Sequence, residues 1–274
     1  VRRAWAAILA GVLLAAPARG AVEFDGNDIY SNTSAGIVTA PPFTIAMWIY
    51  PTNLDGTNRG PLTVSDNAGP GTRYWTLQAN TTSVRWFAGD GGGNSSANTS
   101  AAPTANVWQH WCAVEAATNS RACYLNGANK GTNSTTRTPT AGTWSTFVGS
   151  AAFSHACRIH WLVTWNVALT DSEVASLAAG QHPLTMRPSA ITHAYPLREH
   201  LAAGAQDVVG GVSLATIASD PATVEGPAVM RNGGPTYGLR RAPLWRRRED
   251  DYQGQDMATV AASAPAVPVP TRIT

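Results

Sequence analysis

The sequence predicts an all-β protein: a two-sheet antiparallel sandwich with one short helix after its last core strand. Three observations carry this. Short runs alternate apolar and polar side chains, the two-residue period of a strand. Clusters of Gly, Asn, Asp, Ser and Pro separate those runs at the spacing of sandwich turns. A helix start, Thr170-Asp171-Ser172-Glu173, follows directly on the most apolar alternating run.

The chain has 274 residues, of which 13% are charged, with a formal net charge of +2. That balance leaves no electrostatic footprint for nucleic acid. Three cysteines allow at most one internal pair: Cys112 and Cys123 fall on neighbouring predicted strands and Cys157 on a third. The absence of a C-x-x-C pair argues against zinc. Ten tryptophans are many for this length. Most belong in a core, although such proteins also lay tryptophan against the C–H faces of sugars.

Residues 1–20 read as a signal peptide: Arg2 and Arg3, then an apolar run too short to span a bilayer, then Ala18-Arg19-Gly20 as a small-x-small cleavage site. No later stretch is long and apolar enough to cross a membrane. Residues 21–229 form the predicted domain. Residues 22–30 give a first strand with a turn at Asp25-Gly26. In residues 43–51, Phe43, Ile45, Met47 and Ile49 share one face and Trp48 and Tyr50 the other, as in a central strand. A long loop over residues 53–71 surrounds a short strand at 62–64. Residues 74–79 and 83–88 form a hairpin across Asn80-Thr81-Thr82. Asp90-Gly91-Gly92-Gly93-Asn94 begins a loop to about residue 106. Residues 108–114 and 121–127 form a further hairpin, and 141–148 hold one more short strand.

Residues 158–180 are the anchor of the pattern. Strict alternation puts Ile159, Trp161, Val163 and Trp165 on one face and His160, Leu162, Thr164 and Asn166 on the other. Thr170 and Glu173 make a capping box, Val174 and Leu177 follow at helical spacing, and Gly180 supplies the stop. Residues 190–197 and Asp207-Val208-Val209-Gly210-Gly211 come next. Residues 230–274, with Arg240-Arg241, Arg246-Arg247-Arg248 and an Ala/Val/Pro-rich end, read as a flexible tail.

These runs resemble laminin-G-like, concanavalin A-type jelly rolls of the kind found in bacterial secreted and bacteriophage proteins. The residues that carry the resemblance are Phe24-Asp25-Gly26, Phe43-Thr44 with Trp48 and Pro51, Trp108 with Tyr124 and Gly127, and Trp165-Asn166 with Ala168-Leu169-Thr170 and Glu173. The resemblance implies a jelly-roll topology. It also implies that residues 190–229, which look like the family's opening line, are either a permuted closing strand and loop or the start of a cut-short repeat.

Some relatives of this kind cleave β-glucans with E-x-D-x-x-E on a central strand, where alternate positions present two carboxylates to one bond. The nearest match runs from Glu23 through Asp25 to Asp28; it ends in Asp, contains a turn glycine and lies on the first strand. No catalytic residue is assigned. Others hold calcium at one rim, so Asp55, Asp66, Asn67, Asp90 and Asn94 are loop residues of the right type, with a site near Asp55, Asp66 or Asp90. For a ligand, Trp75 and Trp86 on the hairpin leading into the glycine-rich loop, together with Asp90 and Asn94, form the candidate platform. The expected function is non-catalytic binding of a glycan or of a cell-surface or virion protein, by a secreted or virion-associated protein. The alternatives are a structural jelly roll of a phage particle and a diverged glycoside hydrolase.

Overall fold

The computed structural model describes residues 20–66, 73–140, 143–149, 155–199, 201, 203–218 and 221–227. These all lie in one unit, Val1–Gly234; the expected tail and residues 1–19 of the expected signal peptide lie outside the described residues.

Two antiparallel sheets form the sandwich. The first runs β10-β9-β8-β3-β12-β1-β15, and the second runs β14-β2-β11-β4-β5-β6-β7. The strands of the first are β1 (Gly20–Phe24), β3 (Phe43–Pro51), β8 (Gln109–Ala117), β9 (Ser120–Leu125), β10 (Ala128–Asn133), β12 (Cys157–Trp165), β13 (Ile191–Tyr195) and β15 (Ala222–Glu225). Those of the second are β2 (Ile29–Asn32), β4 (Arg59–Ser65), β5 (Arg73–Ala79), β6 (Val84–Asp90), β7 (Asn94–Asn98), β11 (Ser145–Val148) and β14 (Ala215–Ala218). The predicted central strand β3 pairs with β8 on one side and β12 on the other. The segment after the helix is part of the first sheet: β13 pairs with the second half of β12, while β1 pairs with its first half.

Two apolar layers result. Between the sheets lie Phe43, Ile45, Met47 and Ile49 with Trp75, Leu77, Trp86, Trp111 and Ile159. On the outer face of the first sheet, Trp48, Trp161, Val163 and Trp165 meet α1 (Asp171–Ala178) through Val174 and Leu177. Thr170 accepts from the Glu173 amide while the Glu173 carboxylate accepts from the Thr170 amide, so the capping box closes at both ends.

Strict alternation fails at one place in β12. Trp161 has φ +52 and the register against β3 shifts between His160 and Val163. An extra residue at such a bulge shifts the phase of everything after it. Ile159 and Leu162 therefore face the inner core, whereas Trp161, Val163 and Trp165 face the helix. Residues 94–98, read as loop, form the edge strand β7, and 128–133, which carry little apolar signal, form β10.

At this end of the sandwich the two sheets touch. A Cβ on Gly131 of β10 would lie 1.6 Å from the Asn98 carbonyl oxygen of β7, so the backbones approach as only glycine allows. The Ser100 amide donates to the Asn129 carbonyl beside it. The three cysteines are buried and free. Cys112 faces the helix layer, whereas Cys123 and Cys157 face the inner core.

Candidate functional site

A groove of about 500 Å³ opens on the outer face of the first sheet, between β8, β9 and β10 and the start of α1. Its floor includes Val114, Ala122, Tyr124 and Leu169, which alternation turns away from the inner core. Its rim is polar, with Asn119, Lys130, Asn133 and Asp171 among the lining residues. The helix stands beside it because the Asn126-Gly127 turn packs on α1: a Cβ on Gly127, at φ +71, would lie 2.7 Å from the Ala175 Cα.

The rim holds a three-member cluster. Tyr124 Oη donates to Asp171 Oδ1 at 2.7 Å. Lys130 Nζ donates to Asp171 Oδ1 at 2.8 Å and Oδ2 at 3.0 Å, and it lies 5.4 Å from the Tyr124 ring centre. The bonds from Lys130 and then Tyr124 hold the Asp171 carboxyl below its ordinary pKa. Burial, with the carboxylate beside it, pushes the Tyr124 phenol well up, so it stays a neutral donor.

Behind the groove lies a buried network. Glu115 and Arg121 pair at 3.0 Å with side-chain exposures of 1% and 0%. Trp86 Nε1 donates to Glu115 Oε2 at 2.8 Å. Arg121 Nη1 donates onward to Asn133 Oδ1 and to the Thr135 carbonyl, both in the groove wall. Burial raises the Glu115 carboxyl, against the bonds from Arg121 and Trp86. Glycosidic cleavage by paired carboxyls needs two of them across one bond. Among the described residues the groove lining contains one carboxylate, Asp171.

The expected platform is not formed by Trp75 and Trp86. Both are 0% exposed in the inner core. Phe43 meets them edge-on, at 5.4 and 6.0 Å between ring centres, and Trp144 stacks on Trp75 at 4.6 Å. The opposite face of the same hairpin carries Tyr74, Thr76 and Gln78, so the apolar indoles turn inward. On the first sheet's outer face, Tyr50 and Trp108 keep partial exposure. Their rings lie 5.7 Å apart at 61°, and Arg158 sits 4.9 Å from the Tyr50 ring.

Asp90 and Asn94 flank the glycine-rich turn between β6 and β7, away from those tryptophans. Asp90 faces Arg137 at 3.4 Å and accepts from the Gly92 and Thr138 amides. Burial raises its carboxyl, but those amides and Arg137 together bring it below the ordinary value. Asn94 is exposed, and its side chain bonds Tyr74.

The residues do not fit calcium. Asp66 faces Arg73 at 3.6 Å, Asp55 is bonded to Arg59 and Thr57, and Asp90 has Arg137, so each carboxylate already has a cation. Asp66 and Asp90 sit at one end of β5 and β6, against Arg73. Asp55 sits at the other, where Asn58 meets Asn80. Among the described residues no group of three or more His, Cys, Asp or Glu could hold a metal; Asn67 lies outside them.

The sequence reading missed Lys130, although one signal was present: it is the only lysine in the chain, against eighteen arginines. Asp171 was read as part of the helix start, which it is, but its carboxylate also faces the groove.

A family model described as the concanavalin A-like lectin/glucanases superfamily matches residues 25–175. The chain belongs to that superfamily. The match covers the sandwich from Asp25 through the groove to the first turn of α1. Two solved structures share the fold. The native heptameric SAP-like pentraxin from Limulus polyphemus has 13% identity and a TM-score of 0.51, covering 76% of this chain and 96% of its own. A putative carbohydrate binding protein from Bacteroides ovatus ATCC 8483 has 15% identity and a TM-score of 0.56, covering 77% of this chain and 62% of its own. No curated protein matches the chain in sequence.

Proposed function

We propose that the chain is a non-catalytic carbohydrate-binding module of a secreted or virion-associated protein, and that the groove beside α1 takes the glycan. The groove carries this reading: a small apolar floor under a rim of amide, hydroxyl and paired charged groups is the composition of a sugar subsite. Membership of the concanavalin A-like lectin/glucanases superfamily and the likeness to the Bacteroides ovatus carbohydrate binding protein support it. Tyr50 and Trp108 supply a partly exposed aromatic surface on the same sheet.

The lone lysine provides the test. Amine-selective acylation of the folded chain has one side-chain target, Lys130. A glycan retained on an oligosaccharide array should slow that acylation, and Lys130→Ala should weaken its binding by about 1–2 kcal/mol. An array on which no glycan is retained would refute the reading.

One observation favours the structural alternative. Val208, Val209 and Ile217 are 54%, 48% and 52% exposed, apolar surface that a neighbouring particle protein could cover. Assembly of the chain into particles would support that alternative.

A further inference from the structure

We propose that the groove selects neutral glycans through their vicinal hydroxyls and rejects anionic ones. This rests on the proposed function and adds the ligand's charge class to it. An anionic sugar is drawn by unmatched positive charge, and among the described residues each cation lining the groove is matched by a carboxylate. Arg121 is 0% exposed with its charge matched by Glu115. Its Nε reaches both Glu115 oxygens at 3.2 Å. Its Nη2 reaches Glu115 Oε1 at 3.0 Å and the Thr118 carbonyl at 3.1 Å. Its Nη1 reaches Ser95 Oγ at 2.5 Å, Asn133 Oδ1 at 3.2 Å and the Thr135 carbonyl at 2.9 Å. A guanidinium has five N–H donors, and here every nitrogen is committed.

Lys130 is bonded to both oxygens of Asp171. A carboxylate or sulfate on the sugar would have to draw Lys130 away while lying beside Asp171, and like charges at that range repel. A neutral sugar meets the pair differently. The Asp171 side chain is 68% exposed and keeps one lone pair, on Oδ2, for a hydroxyl donor, and the ammonium has a third N–H for a hydroxyl acceptor. Two adjacent hydroxyls satisfy both at once, each by a charge-assisted bond. Asn133 Oδ1 is taken by Arg121 and the Thr135 amide, which leaves its Nδ2 as a further donor.

The test is an array of neutral hexose and pentose oligosaccharides beside uronate, sialylated and sulfated ones, followed by calorimetry of the retained members at low and high salt. Retention of neutral members is expected, with a Kd that salt leaves unchanged. Asp171→Asn and Lys130→Met should each weaken binding by about tenfold, a charge-assisted bond lost in each case. Retention of anionic members alone, with affinity falling as salt rises and increased by Asp171→Asn, would overturn the inference and leave glycan binding standing. Neutral glycans held equally by wild type and both variants would also overturn it, and would move the site to a surface such as Tyr50 and Trp108. No retention of either class would overturn this inference and the proposed function together. Melting temperatures of both variants distinguish lost binding from lost fold.

Discussion

The indole nitrogen of Trp86 is the first link of a chain that ends in the groove wall: Trp86 to Glu115, Glu115 to Arg121, Arg121 to Asn133 and Thr135. Trp86→Phe keeps an apolar ring and deletes the donor. It should cost about 1–3 kcal/mol of stability, read by thermal melting, because a buried carboxylate loses a partner. Asp207 offers a second test at this scale. Burial raises its carboxyl, but His193 and the amides of Ala194, Gly210 and Val209 outweigh burial and hold it at about 2, against an ordinary 3.8. A depressed carboxyl contributes stability that is fully present above the unfolded value and is lost as pH falls through the folded one. The loss should therefore come between about pH 4 and pH 2 and amount to about 2 kcal/mol. Asp207→Asn should flatten that acid limb of the melting curve; an unchanged limb would show that other carboxylates carry it. The alternation of Tyr74, Thr76 and Gln78 against Trp75, Leu77 and Ala79 makes Trp75 legible as core from the sequence, and Trp86, opposite Leu77, shares its face. Beyond being the sole lysine, Lys130 leaves no local trace of its site in the sequence, because its strand alternates nothing apolar and its partner Asp171 is 41 residues away.

Among the elements, β12 decides most. It borders β3 along its length on one side and shares its other side between β1 and β13. Truncation after Pro188 removes β13, β14 and β15 together with the buried Ala194, Tyr195, Leu197 and Leu214, and uncovers the apolar surface that those residues pack against. At about 25 cal/mol for each Å² of apolar area returned to water, that should destabilise the domain by several kcal/mol. A truncated chain that melts at the full-length temperature would contradict the pairing. Sequence shows β12 and α1 clearly, since both are local patterns with strong periods. It does not show the bulge at Trp161, because a positive φ at a bulky residue is imposed by its tertiary setting, here the Trp161 amide bonded to the Pro196 carbonyl. Neither did it show β7 or β10, whose polar edge residues carry no core-facing period.

For the molecule as a whole, the expected export signal makes a direct prediction. N-terminal sequencing of exported chain should begin at Ala21, inside β1, next to the Gly20 that pairs with Glu225. Exported chain that still begins at Val1 would refute it.

The close approach of Gly131 to Asn98 has a consequence for how the sandwich breathes. The two sheets are clasped along β7 and β10, where a backbone lies against a backbone. Along the opposite margin β14 and β15 each rest on a single neighbour, β2 and β1. Thermal opening should therefore start at the margin held by β14 and β15 and swing about the clasp. In hydrogen–deuterium exchange, the amides of β14 and β15 should deuterate early and those of β9, behind the clasp, late. Gly131→Ala would wedge the clasp apart and erase that order, loosening the groove wall at Thr132 and Asn133 before any other part of the fold.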